Sequence, residues 1–357
     1  GLVLSASSGL PLPGVTLSPA PSAGATATTN SSGAFTLGVP ANSQVAVTVD
    51  KAGYASHPIA VNLVTGETRP AALVLTPVGA TQTVFTALGG KVTHAAAKTA
   101  LTLPAGFVTG TSSVQVSVTA LDPTTAQSLA MPGTFAALSR FGAAVSLAPV
   151  ALAELTVGDG AGTSFPLALP GIVEMHIPSS ALSDPRLGLG GLVPCLRYDE
   201  ASGLWKFLAD GVVVNSSVDG QPAVKLTVDH LSWFAAGFLN GSNGCVGGVV
   251  TSAGLPVSGA TVQAYPGGAD VSKADGSFRV SAPPLAGVQL LAARSTTGAV
   301  RIGGASAIAS DLGSACTVQN IALQGGGTAP TFSVYAQLMR GRDFFHVVRD
   351  EVLVKIV

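Results

Sequence analysis

One pattern is written twice in this chain, and it limits the fold more than any other feature. Gly9-Leu10-Pro11-Leu12-Pro13-Gly14-Val15-Thr16-Leu17 is followed by Asn30-Ser31-Ser32-Gly33-Ala34-Phe35-Thr36-Leu37. Much later, Gly254-Leu255-Pro256-Val257-Ser258-Gly259-Ala260-Thr261-Val262 is followed by Lys273-Ala274-Asp275-Gly276-Ser277-Phe278-Arg279-Val280, in the same order and nearly the same spacing. Each copy reads as a Gly-Leu-Pro turn, a Gly before an alternating strand, a polar-Gly hairpin turn, and a strand whose Phe enters a core. Copy one continues through Gln44 to Asp50, with Val45, Val47 and Val49 on one face, then the turn Lys51-Ala52-Gly53-Tyr54 and a last strand from Ala72 to Pro77. Copy two runs in parallel through Val288 to Ala293 and Val318 to Leu323.

The order G-x-P-x-x-G-x-x-V, D-G-x-F, V-x-V-x-x-x-G-Y resembles the carboxypeptidase regulatory-like domain, a small seven-stranded Ig/transthyretin-like sandwich. The resemblance implies an all-β chain in which two such sandwiches, 1–79 and 241–324, flank a larger β-sandwich-like region at 80–240. It also implies a secreted protein with an extracellular or cell-surface, structural or binding role and no chemistry of its own. A related group in Gram-positive adhesins crosslinks Lys to Asn across the sandwich, but the segments 1–17 and 246–262 contain no Lys. In this sandwich type the strands after Cys245 and Cys316 can lie close. A Cys245–Cys316 disulfide is therefore implied, of order 3 to 4 kcal/mol by loop entropy; the alternative is two buried free thiols. Cys195 is left unpaired, and a bridge would place the chain in an oxidising compartment.

The middle region reads as strand after strand: Ala100 to Phe107, a strand ending in a Pro-Gly turn, then Ser113 to Leu121, Ala143 to Pro149, Ala153 to Val157, Gly171 to Pro178, Leu192 to Tyr198, Trp205 to Ala209, Val212 to Val218 and Ala223 to Asp229. Only Thr124 to Met131 suggests a short helical turn. The hairpin Tyr198-Asp199-Glu200-Ala201-Ser202-Gly203-Leu204-Trp205 and the closing His230-Leu231-Ser232-Trp233 are similar to the middle segment of cartilage intermediate layer proteins. That resemblance implies an extracellular scaffold, with no catalytic residues to carry over.

Charge is scarce at 10% of residues, the net charge is −1, and no basic run occurs, so nucleic acid is excluded as a partner. No stretch approaches the roughly 18 apolar residues of a membrane span. So little charge points instead to an exterior covered by self-association or by surface and matrix proteins. The opening Gly1-Leu2-Val3 has no initiator Met and no signal h-region, as in a processed product or trimmed sequence.

Catalytic readings fail on pattern. Asp229, His230 and Ser232 are neighbours on one expected strand, where alternate side chains face opposite ways, and no G-x-S-x-G elbow exists. His57, His94, His176 and His346 stand singly, without metal-ligand spacing. Asp184-Pro185-Arg186 and Asp159-Gly160 read as turns, and calcium loops are absent. No cofactor, metal or catalytic residue is assigned, and the chain is read as a non-enzyme. Asn30, Asn215 and Asn240 open glycosylation triplets, which matter only in a source that glycosylates.

Residues 325–330 form a Gly-rich linker, and the last 27 residues carry seven charged side chains. Phe332, Val334, Ala336 and Leu338 alternate, as do Val352, Val354 and Ile356, which fits two C-terminal strands at 331–357. An isolated strand pair is not stable, so the tail must dock. It could be donated to a neighbouring subunit, fold back on its own chain, or begin a further domain. Two functions follow: a self-assembling surface or filament subunit, or an accessory adhesion module that holds a polysaccharide or protein. Aromatics at 5% weaken carbohydrate binding.

Overall fold

The computed structural model describes residues 1–20, 24–66, 68, 71–160, 163–240, 244–265, 267–282, 287–296, 299–310 and 315–324, and these form an all-β protein. Among the described residues the helical content is three 3-10 turns, one of them Ala126–Ala130, where the sequence suggests a turn.

Copy one contributes β1 (Leu2–Ser5), β2 (Thr16–Ala20), β3 (Ala27–Thr28), β4 (Gln44–Asp50), β5 (Ile59–Asn62) and β6 (Ala72–Leu75). β1 runs parallel to β6, and a second sheet has the order β3-β2-β4-β5. Val45, Val47 and Val49 point inward with Val3, Val15, Leu17 and Leu75, the alternation expected of a half-buried strand.

The middle region supplies β7 (Ala80–Phe85), β8 (Gly90–His94), β9 (Thr99–Leu103), β10 (Ser113–Leu121), β11 (Ala136–Leu138), β12 (Ala144–Gly158), β13 (Gly171–His176), β14 (Leu192–Asp199), β15 (Leu204–Asn215), β16 (Pro222–Val228) and β17 (Trp233–Asn240). They form one sheet of order β7-β10-β12-β17-β14-β15-β16-β13-β9-β8, with β11 bridging β12 and β15. Val84 near one end of that order and Val92 at the other share a core with Leu101, Val116, Leu155, Val173 and Phe234, so the sheet curls around its own apolar face.

Copy two contributes β18 (Gly244–Ser252), β19 (Leu255–Pro256), β20 (Thr261–Tyr265), β21 (Ala269–Val271), β22 (Ser277–Ala282), β23 (Gly287–Thr296), β24 (Ala299–Ile308), β25 (Thr317–Val318) and β26 (Ile321–Ala322). β18 lies between antiparallel β22 and parallel β25 and β26, and the facing sheet is β21-β20-β23-β24. Ala253 and Gly254, both at positive φ, make the two-residue turn between β18 and β19.

A second core lies outside the curled sheet. Phe135, Leu147, Leu152, Trp205 and Trp233 meet Leu2, Leu4 and Val74 of copy one and Leu291, Ala293 and Ile302 of copy two. Both flanking units thus cover the same outer face, which is why β12 from Val150 to Leu155 and β17 from Trp233 to Gly237 are buried on both sides. Trp205 is its anchor, stacked on Phe135 at 5.9 Å and edge-on to Tyr198 at 5.4 Å.

Three strand expectations are corrected. The segments 143–149 and 153–157 are one strand, β12, because Pro149 sits at a register shift, where its missing N–H breaks no ladder bond. The segments 205–209 and 212–218 are likewise one strand, β15. Asp210-Gly211 is no turn: a Cβ on Gly211 would come within 2.7 Å of Cys195 Sγ and 2.6 Å of a Val224 methyl, so glycine serves close packing there. Among the described residues the expected strand from Ala34 to Leu37 pairs at its start alone, where Ala34 bridges Leu2 and Phe35 exchanges hydrogen bonds with Gly1.

Candidate functional site

The two copies repeat at the level of single hydrogen bonds. In copy one the Thr29 hydroxyl donates to the Leu12 carbonyl (2.7 Å) and accepts from the Val15 N–H (2.9 Å); in copy two the Ser272 hydroxyl donates to the Val257 carbonyl (2.6 Å) and accepts from the Ala260 N–H (2.9 Å). Val3 N–H donates to the Gly33 carbonyl as Val250 N–H does to Gly276, each at 2.9 Å. Both glycines hold positive φ, and a Cβ on either would strike the carbonyl oxygen of Val3 or Val250. β2, β3 and β4 pair as β20, β21 and β23 do.

Against that identity one difference stands out. In copy two, Gly244 to Val249 of β18 pair antiparallel with Ser277 to Ala282. In copy one the matching residues pair as far as residue 1: Leu2 bridges Ala34, Gly1 N–H donates to the Phe35 carbonyl (2.7 Å), and Phe35 N–H donates to the Gly1 carbonyl (3.0 Å), so Gly1 stands where Gly248 does. Among the described residues, Thr36 to Val39 have no ladder partner. The segment is still strand-like in its side chains, since Phe35, Leu37 and Val39 pack on the core while Thr36 and Gly38 are exposed. Phe35, Leu37 and Val39 are only half-buried, whereas their counterparts Phe278, Val280 and Ala282 are buried. In copy two those residues are covered by Gly244 to Gly247, whose counterparts in copy one fall ahead of Gly1.

Copy two is also stapled. Cys245 and Cys316 form a disulfide, with Cα atoms 4.7 Å apart, fastening the start of β18 to the residue before β25. An intramolecular bridge fits an oxidising compartment. Cys195 is a free, buried thiol whose pKa burial pushes up to about 12.

Copy one is latched to the middle region at Ser56 and His57, besides the contact of the Gln44 amide with the Ala201 and Ser202 carbonyls. Ser56 N–H donates to Glu154 Oε1 (2.9 Å), Trp233 Nε1–H donates to the Ser56 carbonyl (2.8 Å), and His57 Nδ1 lies 3.1 Å from the Ala130 carbonyl, to which it donates. Glu154 and Trp233 are cross-strand partners on β12 and β17. Burial raises the Glu154 pKa to about 8, with the nearby charges of Asp50 and Glu200 adding to the effect, and lowers that of His57 to about 4. Both groups are thus neutral near pH 7 and act as hydrogen-bonding parts of an internal joint.

The Asp229–His230 expectation is corrected. These residues lie past the end of β16, where strand alternation no longer holds, and His230 Nδ1 comes 2.7 Å from Asp229 Oδ1. Arg197 Nη1 stands 3.3 Å from the other ring nitrogen. A guanidinium only donates, so it occupies the lone pair that a general base would need. Ser232 enters this neighbourhood through its carbonyl, which accepts from Leu155 N–H. His94 Nδ1 accepts from Ala120 N–H, Asp184 caps Arg186, and Asp159 accepts from Thr163 N–H, so each closes local backbone. Among the described residues no three His, Cys, Asp or Glu side chains are grouped to hold a metal, and no helix is long and apolar enough to cross a membrane. His346 and the tail residues Phe332, Val334, Leu338, Val352, Val354 and Ile356 lie outside the described residues.

No family model, curated protein or solved structure matches the chain.

Proposed function

We propose that this chain is a non-enzymatic structural subunit of an extracellular or cell-surface assembly, joined to its neighbours by a strand donated from residues 331–357. The observation that carries the reading is the sequence of residues 331–357, where Phe332, Val334, Ala336 and Leu338, and again Val352, Val354 and Ile356, alternate behind a Gly-rich linker as a strand offered to a sheet edge would. The disulfide supports an oxidising location. The resemblance to carboxypeptidase regulatory-like units and to cartilage intermediate layer proteins belongs to the same proposal.

Deleting residues 331–357 tests it. The deleted chain is expected to sediment as a monomer where the full chain forms higher-mass species. Unchanged assembly sinks the donated strand.

The accessory adhesion reading draws on a different surface. Phe141 is 89% exposed at the tip between β11 and β12, on a turn braced by the Arg140–Asp210 ion pair and by Arg140 stacked over Phe207. If adhesion is the function, Phe141→Ser abolishes binding to an insoluble polysaccharide or protein matrix and leaves self-assembly intact.

A further inference from the structure

We infer that the contact of copy one with the middle region is a pH-sensitive joint, closed while the Glu154 carboxyl keeps its proton and loosened when it gives the proton up. On β12, Leu152 and Glu154 alternate to the outer face of the curled sheet, while Ala153 and Leu155 face its inner core. Glu154 is 5% exposed, and Trp233, its cross-strand partner, is 2% exposed. Between them they hold both main-chain groups of Ser56, the carboxyl taking its N–H and the indole reaching its carbonyl. Leu2, Leu4, Ala55 and Val74 of copy one lie in the same apolar cluster as Leu152 and Trp233. A carboxyl thus sits inside the seam where the two bodies meet.

The groups around Glu154 offer an ionised carboxylate no counter-charge. Asp50 at the end of β4 and Glu200 on the turn after β14 are acids, and each acts to keep the proton on. Its partners on β10 and β17 are Thr119 and Trp233, and the 3-10 turn beside His57 presents the Ala130 carbonyl. Lys51 Nζ donates to the Pro13 carbonyl (2.8 Å), and Lys206 pairs with Asp199 (2.6 Å), so neither lysine is spent on Glu154. Ionising Glu154 in the closed joint therefore costs its hydration without compensation, a cost relieved once water reaches it. Its pKa of about 8 stands above the ordinary 4.5; between those values the open joint releases a proton that the closed one keeps, and rising pH favours opening. His57, lowered from 6.5 to about 4, has the opposite sign, since between those values the open joint takes up a proton and rising pH favours closing. The two slopes cancel between 4.5 and 6.5, and from 6.5 to about 8 Glu154 acts alone.

Hydrogen exchange of the full chain, corrected for the intrinsic rate of each amide, reads the opening at the Ser56 N–H. Protection there is expected to change little from pH 5 to 6.5 and to fall about tenfold from pH 6.5 to 8. The amides of β13, which is laddered to β9 on one side and β16 on the other, should keep theirs. Glu154→Gln retains an oxygen for Ser56 and cannot ionise. With His57 alone titrating, protection of Ser56 in that variant should rise about tenfold from pH 5 to 6.5 and then hold. The joint is overturned if the unmodified chain shows no fall above pH 6.5, or if Glu154→Gln shows the same fall. It is equally overturned if β13 loses protection in step with Ser56, because the opening is then global. Carbon NMR of the Glu154 carboxyl in the unmodified chain decides the matter without a variant: titration near pH 8 supports the joint, and titration near 4.5 contradicts it.

Discussion

Gly1 and Phe35 share two main-chain hydrogen bonds, and their place in the first unit is that of Gly248 and Phe278 in the second. In the second unit the ladder runs on to Ala282 and is secured by the Cys245–Cys316 bridge. One design is thus written twice, down to single main-chain bonds.

The buried hydroxyl clamps carry equal structural weight in both units. Thr29→Val and Ser272→Ala each leave a carbonyl without its donor and an N–H without its acceptor. Each is expected to cost about 1–3 kcal/mol, read as a lower denaturant midpoint with unchanged slope.

Glu154 gives stability a sign in pH. Its folded pKa, about 8, lies above its ordinary value of 4.5. Between those values the unfolded chain has lost the proton and the folded chain keeps it, so stability falls as pH rises, by up to about 1.4 kcal/mol per unit. His57, whose pKa falls from 6.5 to about 4, and the Gly1 amino group, lowered from 8.0 to about 6, carry the opposite sign in their own windows. The difference between the unmodified chain and Glu154→Gln isolates the carboxyl. From pH 5 to pH 8 the variant should gain stability relative to the parent in chemical denaturation; a constant difference across that range would refute the assignment.

Thiol counts separate the cysteines. Native protein should react with a thiol reagent at no site, because Cys195 is buried and poorly ionised. Denatured protein should show one thiol, and denatured, reduced protein three. Replacing Cys245 and Cys316 by Ser is expected to lower stability by about 2–5 kcal/mol.

Much of this was legible beforehand. The duplication, the alternation of Val45, Val47 and Val49, and the strand from Ser113 to Leu121 are local patterns that burial alone enforces. The disulfide was within reach once the repeat was seen. Pro149 and Gly211 misled because a punctuating residue ends a strand only when its backbone geometry demands a turn, and here each serves pairing or packing over a long strand. The clamp at Thr29 and Ser272 had a visible signal, a hydroxyl four residues before Gly33 and Gly276, but its meaning depends on main chain brought in from elsewhere. Glu154 was similarly visible as a lone charge in an apolar strand, yet the Ser56 peptide it meets is 98 residues away.

Electron microscopy with sedimentation of the full chain under oxidising conditions tests the central claim most directly. The account predicts high-mass assemblies that become single particles when residues 331–357 are removed. A full chain that remains a uniform 35.1 kDa monomer at all concentrations would contradict it.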